Sequence, residues 1–94
     1  MTESHRLRVP HRVAETIRGL HPTLKQQIRA ALQVLIQRSA AGKALKKELA
    51  GLRSYRVGRS RIVYRLAGKR TIEIIAIGPR RTIYEETYRL LRRR

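Results

Sequence analysis

The sequence of 94 residues contains no cysteine, no aspartate, no tryptophan and no phenylalanine. Without cysteine the chain can form neither a disulfide nor a zinc site with thiolate ligands, which is typical of a reducing compartment. His5, His11 and His21 lack the i, i+4 spacing that places two metal ligands on one helical face, so we expect them at the surface or at helix boundaries. The sequence therefore predicts neither a metal site nor a cofactor.

Acidic residues are also few, with six glutamates against 23 lysines and arginines and a formal net charge of +17. Glu85 and Glu86 are adjacent, and neighbouring residues of a helix do not face each other, so they offer no convergent carboxylate pair for acid–base catalysis. Eighteen of the basic residues are arginine, whose planar guanidinium binds phosphate bidentately and stacks on bases. This imbalance predicts a polyanionic partner, with nucleic acid as the first candidate.

Long hydrophobic runs are absent as well. No apolar stretch approaches the roughly 20 residues that span a bilayer, and residues 1–8 lack the apolar core of a signal peptide. No aromatic residue precedes Tyr55, so an amphipathic helix anchored at a membrane surface is not indicated. We therefore expect a cytoplasmic protein with no membrane partner, and the length predicts one domain over residues 1–94.

Apolar residues recur at helical spacing in the first half of the chain, over residues 13–20 and more regularly over residues 24–36. Pro22 suits the first turn of the second helix, and Thr23 with Gln26 matches a capping box. Because so few residues separate the two helices, we expect them to form a hairpin.

Strands are predicted at residues 6–9 and throughout the second half, where apolar residues follow β patterns. Residues 54–57 and 60–67 flank Gly58-Arg59, a pair with glycine first that suits a type II′ hairpin turn. Residues 71–77 are apolar on both faces, as expected of a central strand that is covered on both sides.

Two further patterns complete the predicted fold. Alternation along residues 60–67 assigns Ile62, Tyr64 and Leu66 to a core face and arginines to the other face. Residues 82–94 have the apolar spacing of a last helix. The sequence thus predicts an α+β fold, in which a small antiparallel sheet packs against an N-terminal helix hairpin and a short C-terminal helix follows.

Arginines and tyrosines concentrate on the predicted strands and on the loop after the last strand. Arginines can contact phosphates and tyrosines can stack on bases, so the pattern alone indicates RNA or DNA binding, although the arginines could simply solvate an open sheet face. Lysines of the connector at residues 40–52 extend this basic surface. The residues assigned to RNA binding are Arg53, Arg59, Arg65, Arg81, Lys43, Lys46 and Lys47.

The chain resembles the RelE toxin family in two segments, LRSYRVGRSRIVYR at residues 52–65 and IAIGPRRTIY at residues 75–84. The preceding order of strand, helix hairpin and connector is similar too, so the chain is identified as a member of the RelE branch of the RelE/ParE superfamily. That family consists of ribonucleases that cut mRNA in the ribosomal A site, without a metal ion, by attack of the 2′-hydroxyl on the adjacent phosphate. The resemblance implies a RelE-like fold, this activity, and a type II toxin–antitoxin system whose partners are an acidic antitoxin, mRNA and the rRNA of the ribosome.

Carried over position by position, the resemblance implies that Arg56, Arg61, Arg80 and Tyr84 are catalytic. Surrounding guanidinium groups would stabilise the phenolate of Tyr84, which could then act as the base for the 2′-hydroxyl. Arg61 would hold the scissile phosphate, Arg80 would be a second clamp or the acid for the leaving group, and Arg56 would stabilise developing charge. Tyr84 could instead cap the core, and Tyr64 is expected to be a core residue.

Two positions depart from the family's pattern. Gly58 stands where many relatives carry a second basic residue, and Pro79 stands where a basic residue or histidine is frequent. Two alternatives therefore stay open: a ParE-like inhibitor of DNA gyrase, which shares the fold and has no nuclease site, and a catalytically degenerate basic RNA-binding module. The pair Arg80 and Tyr84 is the feature that favours the nuclease.

Overall fold

The computed structural model describes residues 5–92, which form a five-stranded sheet and three α-helices. In chain order these elements are β1 (Arg6–Arg8), α1 (His11–Arg18), α2 (Pro22–Gln37), β2 (Lys43–Ala44), β3 (Arg53–Val57), β4 (Ser60–Ala67), β5 (Thr71–Pro79) and α3 (Ile83–Arg92). A short 3-10 helix, Lys47–Leu49, lies between β2 and β3. The predicted α+β fold with an N-terminal helix hairpin and a C-terminal helix is confirmed.

The strand order across the sheet is β1-β5-β4-β3-β2. Strands β2 to β5 pair antiparallel with their neighbours, whereas β1 pairs in parallel with β5, so the sheet is mixed rather than wholly antiparallel. The difference has a topological cause. Tight hairpins impose the antiparallel direction on β3, β4 and β5, but β1 precedes the helices in the chain and no hairpin links it to β5.

The helix hairpin forms where the apolar periodicity predicts it. Gly19 ends α1, and Pro22 lies in the first turn of α2, where its missing N–H costs no helical hydrogen bond. The N-cap is His21 and not Thr23, because the Nδ1 of His21 accepts a hydrogen bond from the Thr23 backbone N–H at 3.2 Å. The predicted capping box is therefore wrong. None of the three helices in residues 5–92 is long and apolar enough to cross a membrane.

The turn between β3 and β4 has the predicted two-residue form. Gly58 has a φ of +59° and Arg59 has no positive φ, as a type II′ turn requires of its two central residues. The short turn fixes the register of the hairpin, in which Val57 pairs with Ser60 and Arg56 lies opposite Arg61.

A bulge in β5 determines which of its apolar residues lie on each face of the sheet. Val63 of β4 pairs with Ala76, but the next residue, Tyr64, pairs with Ile74, so Ile75 has no partner on β4. The extra residue places Ile75 and Ala76 on the same face of the sheet as Val63, while Tyr64 and Ile74 lie on the opposite face.

Each face of the sheet has its own core. Helices α1 and α2 cover the first face, whose fully buried side chains include Val13, Ile28, Leu35, Ile62, Tyr64, Ile72 and Ile74. Helix α3 covers part of the second face, where Leu52, Val63, Ile75, Ala76 and Ile83 are buried. The prediction that Leu66 lies in the core was wrong. Its side chain is 48% exposed, because this end of β4 lies beside the non-helical residues 39–40 and no helix covers it.

Tyr64 is a core residue, as predicted, and it fixes the connector that follows α2. Its side chain is 1% exposed, and its hydroxyl donates to the Ser39 carbonyl at 2.7 Å and accepts from the Gly42 N–H at 2.9 Å. A Cβ atom on Gly42 would lie 2.6 Å from the Tyr64 hydroxyl oxygen and 2.9 Å from the carbonyl oxygen of Ser54. Only glycine fits this position without moving β3 or Tyr64.

We expect Gly42→Ala to lower the free energy of unfolding by about 2 to 4 kcal/mol, because the added methyl overpacks a buried contact and displaces a hydrogen bond. Urea denaturation of the purified protein measures this loss. Gly19→Ala is the matched control, since its Cβ would lie 3.7 Å from the nearest atom, and it should change stability by less than about 1 kcal/mol. If Gly42→Ala and the wild type unfolded at the same urea concentration, the connector would not be closely packed at Gly42.

Candidate functional site

Two of the four residues assigned to catalysis meet on the second face of the sheet. The Tyr84 hydroxyl donates to the Oγ of Ser54 at 3.0 Å, and Nη1 of Arg61 lies 3.4 Å from the same oxygen. Arg56 lies directly across from Arg61 in the β3–β4 ladder, so their side chains share this face. The structure thus brings a phenol and two guanidinium groups to one end of the hairpin.

Ser54 is the residue that sequence reasoning missed. Its side chain is 1% exposed, and it lies opposite Lys43 on one side and opposite Val63 on the other, in the interior of the sheet. The signal that could have found it is alternation, because Ser54 comes two residues before Arg56 and so faces the same side of β3.

Tyr84 lies in the first turn of α3, beside the end of β5. Its ring is half-buried and packs against the second core cluster around Val63 and Ile83, as the core-cap hypothesis expects. Its hydroxyl points at Ser54, at the basic end of the hairpin. The packing is what the core-cap hypothesis expects, and the contact with Ser54 was expected by neither hypothesis.

Arg61 is half-buried and incompletely hydrogen-bonded. Its Nε is a buried nitrogen with no hydrogen-bond partner among the described residues, and the contact of its Nη1 with Ser54 is long. A partly buried cation with an unpaired N–H is costly to the folded protein unless an anion compensates it. An oxyanion at the outer nitrogens of the guanidinium would compensate the charge of Arg61, although the buried Nε would stay unpaired.

Arg80 belongs to a second group, around the loop that leaves β5. Its backbone N–H donates to the carbonyl of Arg59 at 2.9 Å, which ties this loop to the β3–β4 turn. The result is a depression of about 270 Å³ where exposed arginines converge. Its lining residues are Arg56, Gly58, Arg59, Pro79, Arg80 and Arg81.

Arg56 connects the two groups, since it lines this depression and lies across from Arg61. Its own Nε donates to the carbonyl of Gly58 at 3.2 Å, which directs the side chain along the hairpin toward the turn. The depression and the Tyr84–Ser54–Arg61 contact therefore adjoin at the same end of β3 and β4.

The two departures from the family's pattern both lie at this depression. Gly58 has the positive φ that its turn needs, a conformation that residues with side chains adopt rarely, so the turn accounts for the glycine. Arg59, at the next position, lines the depression together with Arg56. Pro79 contributes no charge but forms part of the wall.

Arg53 and Arg65, both assigned to RNA binding, already have protein partners. Arg53 lies on the first face, where its Nε donates to the Gly42 carbonyl at 3.0 Å. Arg65 lies on the second face but near the other end of β4, where its Nε contacts Glu73 at 2.7 Å. Their assignment to RNA binding stays a prediction, and the structure does not bring either of them to the Arg61 end of the hairpin.

The remaining residues assigned to RNA binding are exposed. Lys43 of the edge strand β2 pairs with Ser54, so its side chain lies on the second face, in the same row as Ser54. Lys46 and Lys47 lie farther along the connector, at the start of the 3-10 helix, and Arg81 lines the depression. They could extend a phosphate-binding surface around the hairpin.

Two of the three histidines lie at helix boundaries as expected, whereas His5 is half-buried beside a strand. His5 immediately precedes β1, His11 begins α1 and His21 caps α2. In residues 5–92 no three side chains of histidine, cysteine, aspartate or glutamate come close enough to hold a metal ion.

A family comparison defines the class of protein. The model of the ParE toxin of the type II toxin–antitoxin system parDE matches residues 7–84. The chain therefore belongs to the ParE toxin family of type II toxin–antitoxin systems, within the RelE/ParE superfamily. The predicted membership of this superfamily is confirmed. No curated protein matches the chain.

Solved structures of RelE toxins share this fold. The toxin–antitoxin complex RelBE2 of Mycobacterium tuberculosis matches with a TM-score of 0.73 and 26% identity, covering 82% of this chain and 99% of that chain. A mutant of Escherichia coli RelE in the free state matches with a TM-score of 0.73 and 19% identity over 92% of each chain. The archaeal RelE–RelB complex of Pyrococcus horikoshii matches with a TM-score of 0.68 and 19% identity, covering 82% of this chain and 96% of that chain.

Proposed function

We propose that this type II toxin is a single-domain endoribonuclease that cleaves mRNA in the ribosomal A site and so inhibits translation in the cytoplasm. The observation that carries the proposal is the contact of Tyr84 and Arg61 with one buried oxygen, on the basic end of the β3–β4 hairpin. A phenol beside a phosphate-binding guanidinium supplies two of the groups that RNA cleavage needs, a base and a stabiliser of negative charge.

The reaction would proceed by transesterification within the RNA. The phenolate oxygen of Tyr84 takes the proton of the 2′-hydroxyl, and the 2′-oxygen attacks the adjacent phosphorus. Arg61 stabilises the charge of the pentacoordinate phosphorane through its outer nitrogens. The bond from phosphorus to the 5′-oxygen then breaks, and that oxygen takes its proton from the general acid, for which Arg80 is the candidate, leaving a 2′,3′-cyclic phosphate and a 5′-hydroxyl. No step of this scheme uses a metal ion or a cofactor.

The arginine-lined depression is suited to the phosphates that flank the cleaved bond. Arg56 and Arg80 converge there, so Arg56 can stabilise developing charge and Arg80 can clamp a phosphate or serve as the acid for the leaving group. Basic residues at the depression and elsewhere on the sheet and the connector would hold the mRNA and contact rRNA through phosphates. These residues are Arg53, Arg59, Arg65, Arg81, Lys43, Lys46 and Lys47.

An acidic antitoxin is the proposed protein partner. The similar structures from Mycobacterium tuberculosis and Pyrococcus horikoshii are complexes of a toxin with its antitoxin, RelBE2 and RelE–RelB. A net charge of +17 makes an acidic chain the complementary partner for this protein. Carboxylates placed against the exposed arginines of the depression would block the same surface that RNA needs.

A second candidate function is inhibition of DNA gyrase. The observation that favours it is the description of the matching family model, which names a ParE toxin. In that function the basic face would bind gyrase, and the contact of Tyr84 with Ser54 would only pack α3 onto the sheet.

Toeprinting of ribosomes that translate a defined message tests the proposed function. With purified protein we expect new mRNA ends at the A site, and we expect DNA supercoiling by gyrase to continue at the same protein concentration. Intact mRNA together with blocked supercoiling would favour the gyrase inhibitor. Intact mRNA with retained ribosome binding would favour the catalytically degenerate RNA-binding module.

A further inference from the structure

Ser54 is a buried polar side chain to which the proposed mechanism gives no role. The other buried polar side chain in the described core, Thr87, donates to the Ile83 carbonyl of its own helix at 2.7 Å. Ser54 differs, because its hydroxyl contacts two side chains from other elements, Tyr84 of α3 and Arg61 of β4. A buried hydroxyl costs free energy unless it is hydrogen-bonded, so these contacts are what compensate its burial.

The hydrogen-bonding capacity of the groups fixes the direction of each contact. A serine hydroxyl has one proton and two acceptor positions, whereas a guanidinium can only donate. Ser54 therefore accepts from Nη1 of Arg61, and it accepts from the Tyr84 hydroxyl while that hydroxyl keeps its proton. The proton of Ser54 is not used in either contact. When Tyr84 is a phenolate, the Ser54 hydroxyl can rotate and donate to the phenolate oxygen across the same 3.0 Å.

We infer that Ser54 is a positioning residue, which holds the oxygen of Tyr84 beside the guanidinium of Arg61 and donates to the phenolate during cleavage. The catalytic part of this inference, donation to the phenolate during cleavage, rests on the proposed function. Ser54 is suited to this task because β2 and β4 pair with β3 on either side of it, so its backbone is fixed inside the sheet. Arg61 also contacts it through Nη1, whereas the Nε of Arg61 has no hydrogen-bond partner among the described residues.

Two substitutions at Ser54 separate positioning from packing. Ser54→Ala removes the oxygen and leaves the strand intact, so single-turnover cleavage on programmed ribosomes should fall roughly 10- to 100-fold, the effect of losing one or two hydrogen bonds. Ribosome affinity should change by less than about twofold, because the exposed arginines still supply the electrostatic attraction. Ser54→Thr keeps the hydroxyl and suits a strand, so it should restore most of the cleavage rate.

Thr87→Val is the control, because it removes a buried hydroxyl that bonds only its own helix. We expect it to leave the cleavage rate unchanged. The inference is overturned if Ser54→Ala cleaves at the wild-type rate. It is also overturned if Ser54→Ala and Ser54→Thr lose cleavage, ribosome affinity and stability together, since Ser54 would then be a packing residue only.

A measurement without RNA distinguishes failure of this inference from failure of the proposed function. With ¹³Cζ-labelled tyrosine, the exchange of the Tyr84 hydroxyl proton is followed by NMR, and the signal is assigned by its absence in Tyr84→Phe. Loss of the contact with Ser54 should speed this exchange about tenfold in Ser54→Ala. Equal exchange rates would overturn the inference. Faster exchange in Ser54→Ala, together with a wild-type protein that cleaves no mRNA, would establish the contact between Ser54 and Tyr84. The proposed nuclease function would then be wrong, and so would the catalytic role of Ser54.

Discussion

Tyr84→Phe is expected to lower mRNA cleavage on the ribosome by roughly 100- to 10,000-fold, the range that one general base contributes. The substitution keeps the ring, which packs against the second core cluster, and deletes only the hydroxyl that contacts Ser54. The loss of that hydrogen bond should cost about 1 kcal/mol of stability. Single-turnover cleavage assays and urea denaturation of the same protein measure the two effects separately.

Tyr88→Phe is the matched control for this prediction. Tyr88 lies one turn later on α3, its side chain is 37% exposed, and Arg92 lies over its ring. Deletion of its hydroxyl should leave cleavage and stability close to those of the wild type. An unchanged cleavage rate in Tyr84→Phe would show that Tyr84 only packs α3 onto the sheet, and the proposed mechanism would have no base.

The part of the site that the sequence could predict depends on local turn chemistry. A two-residue turn at Gly58-Arg59 fixes the register of β3 against β4, and this register alone places Arg56 opposite Arg61. The helix hairpin is predictable for a similar reason, since Pro22 and the apolar periodicity act within α2 itself. Interactions between residues that are close in the sequence can be inferred without knowledge of tertiary packing.

Other features depend on packing between distant segments. The bulge at Ile75 shifts the pairing of β5 with β4, and alternation of residue types cannot show where the extra residue lies. Leu66 has the pattern of a core residue, but α2 and the connector leave that end of β4 uncovered. The position of His21 as N-cap was missed because histidine is not among the residues that usually cap helices.

The arginines illustrate the same limit at the site itself. Alternation places Arg53 and Arg56 on opposite faces of β3, but it cannot show that Arg53 holds the connector through the Gly42 carbonyl. Alternation assigns Ser54 to the same face as Arg56, but it does not show what the serine contacts. Its contact with Tyr84 joins residues that are 30 positions apart, and it forms only when α3 packs onto the second face. The central polar contact of the site is therefore a product of the tertiary fold.

Expression of this toxin alone is expected to arrest growth by blocking translation, and coexpression with the proposed acidic antitoxin is expected to restore growth. The candidate gene is the neighbouring reading frame, and its product should be short, acidic and partly disordered before binding. We expect it to lay an amphipathic helix along apolar surface near the helix hairpin or α3, with carboxylates against the arginines of the sheet. Pulse labelling of protein and DNA synthesis identifies the process that stops first, and an early fall in DNA synthesis would favour the gyrase inhibitor.

The salt dependence of the complex tests the electrostatic part of this prediction. The Debye length falls from about 30 Å to about 8 Å between about 0.01 M and 0.15 M salt, so the association rate should fall by at least tenfold over that range. The dissociation rate should change much less, because buried apolar surface holds the complex once it has formed. Stopped-flow association and surface plasmon resonance measure these rates. If the neighbouring product neither binds nor rescues growth, and the protein is harmless at high expression, the degenerate RNA-binding module becomes the better account of a chain with a net charge of +17.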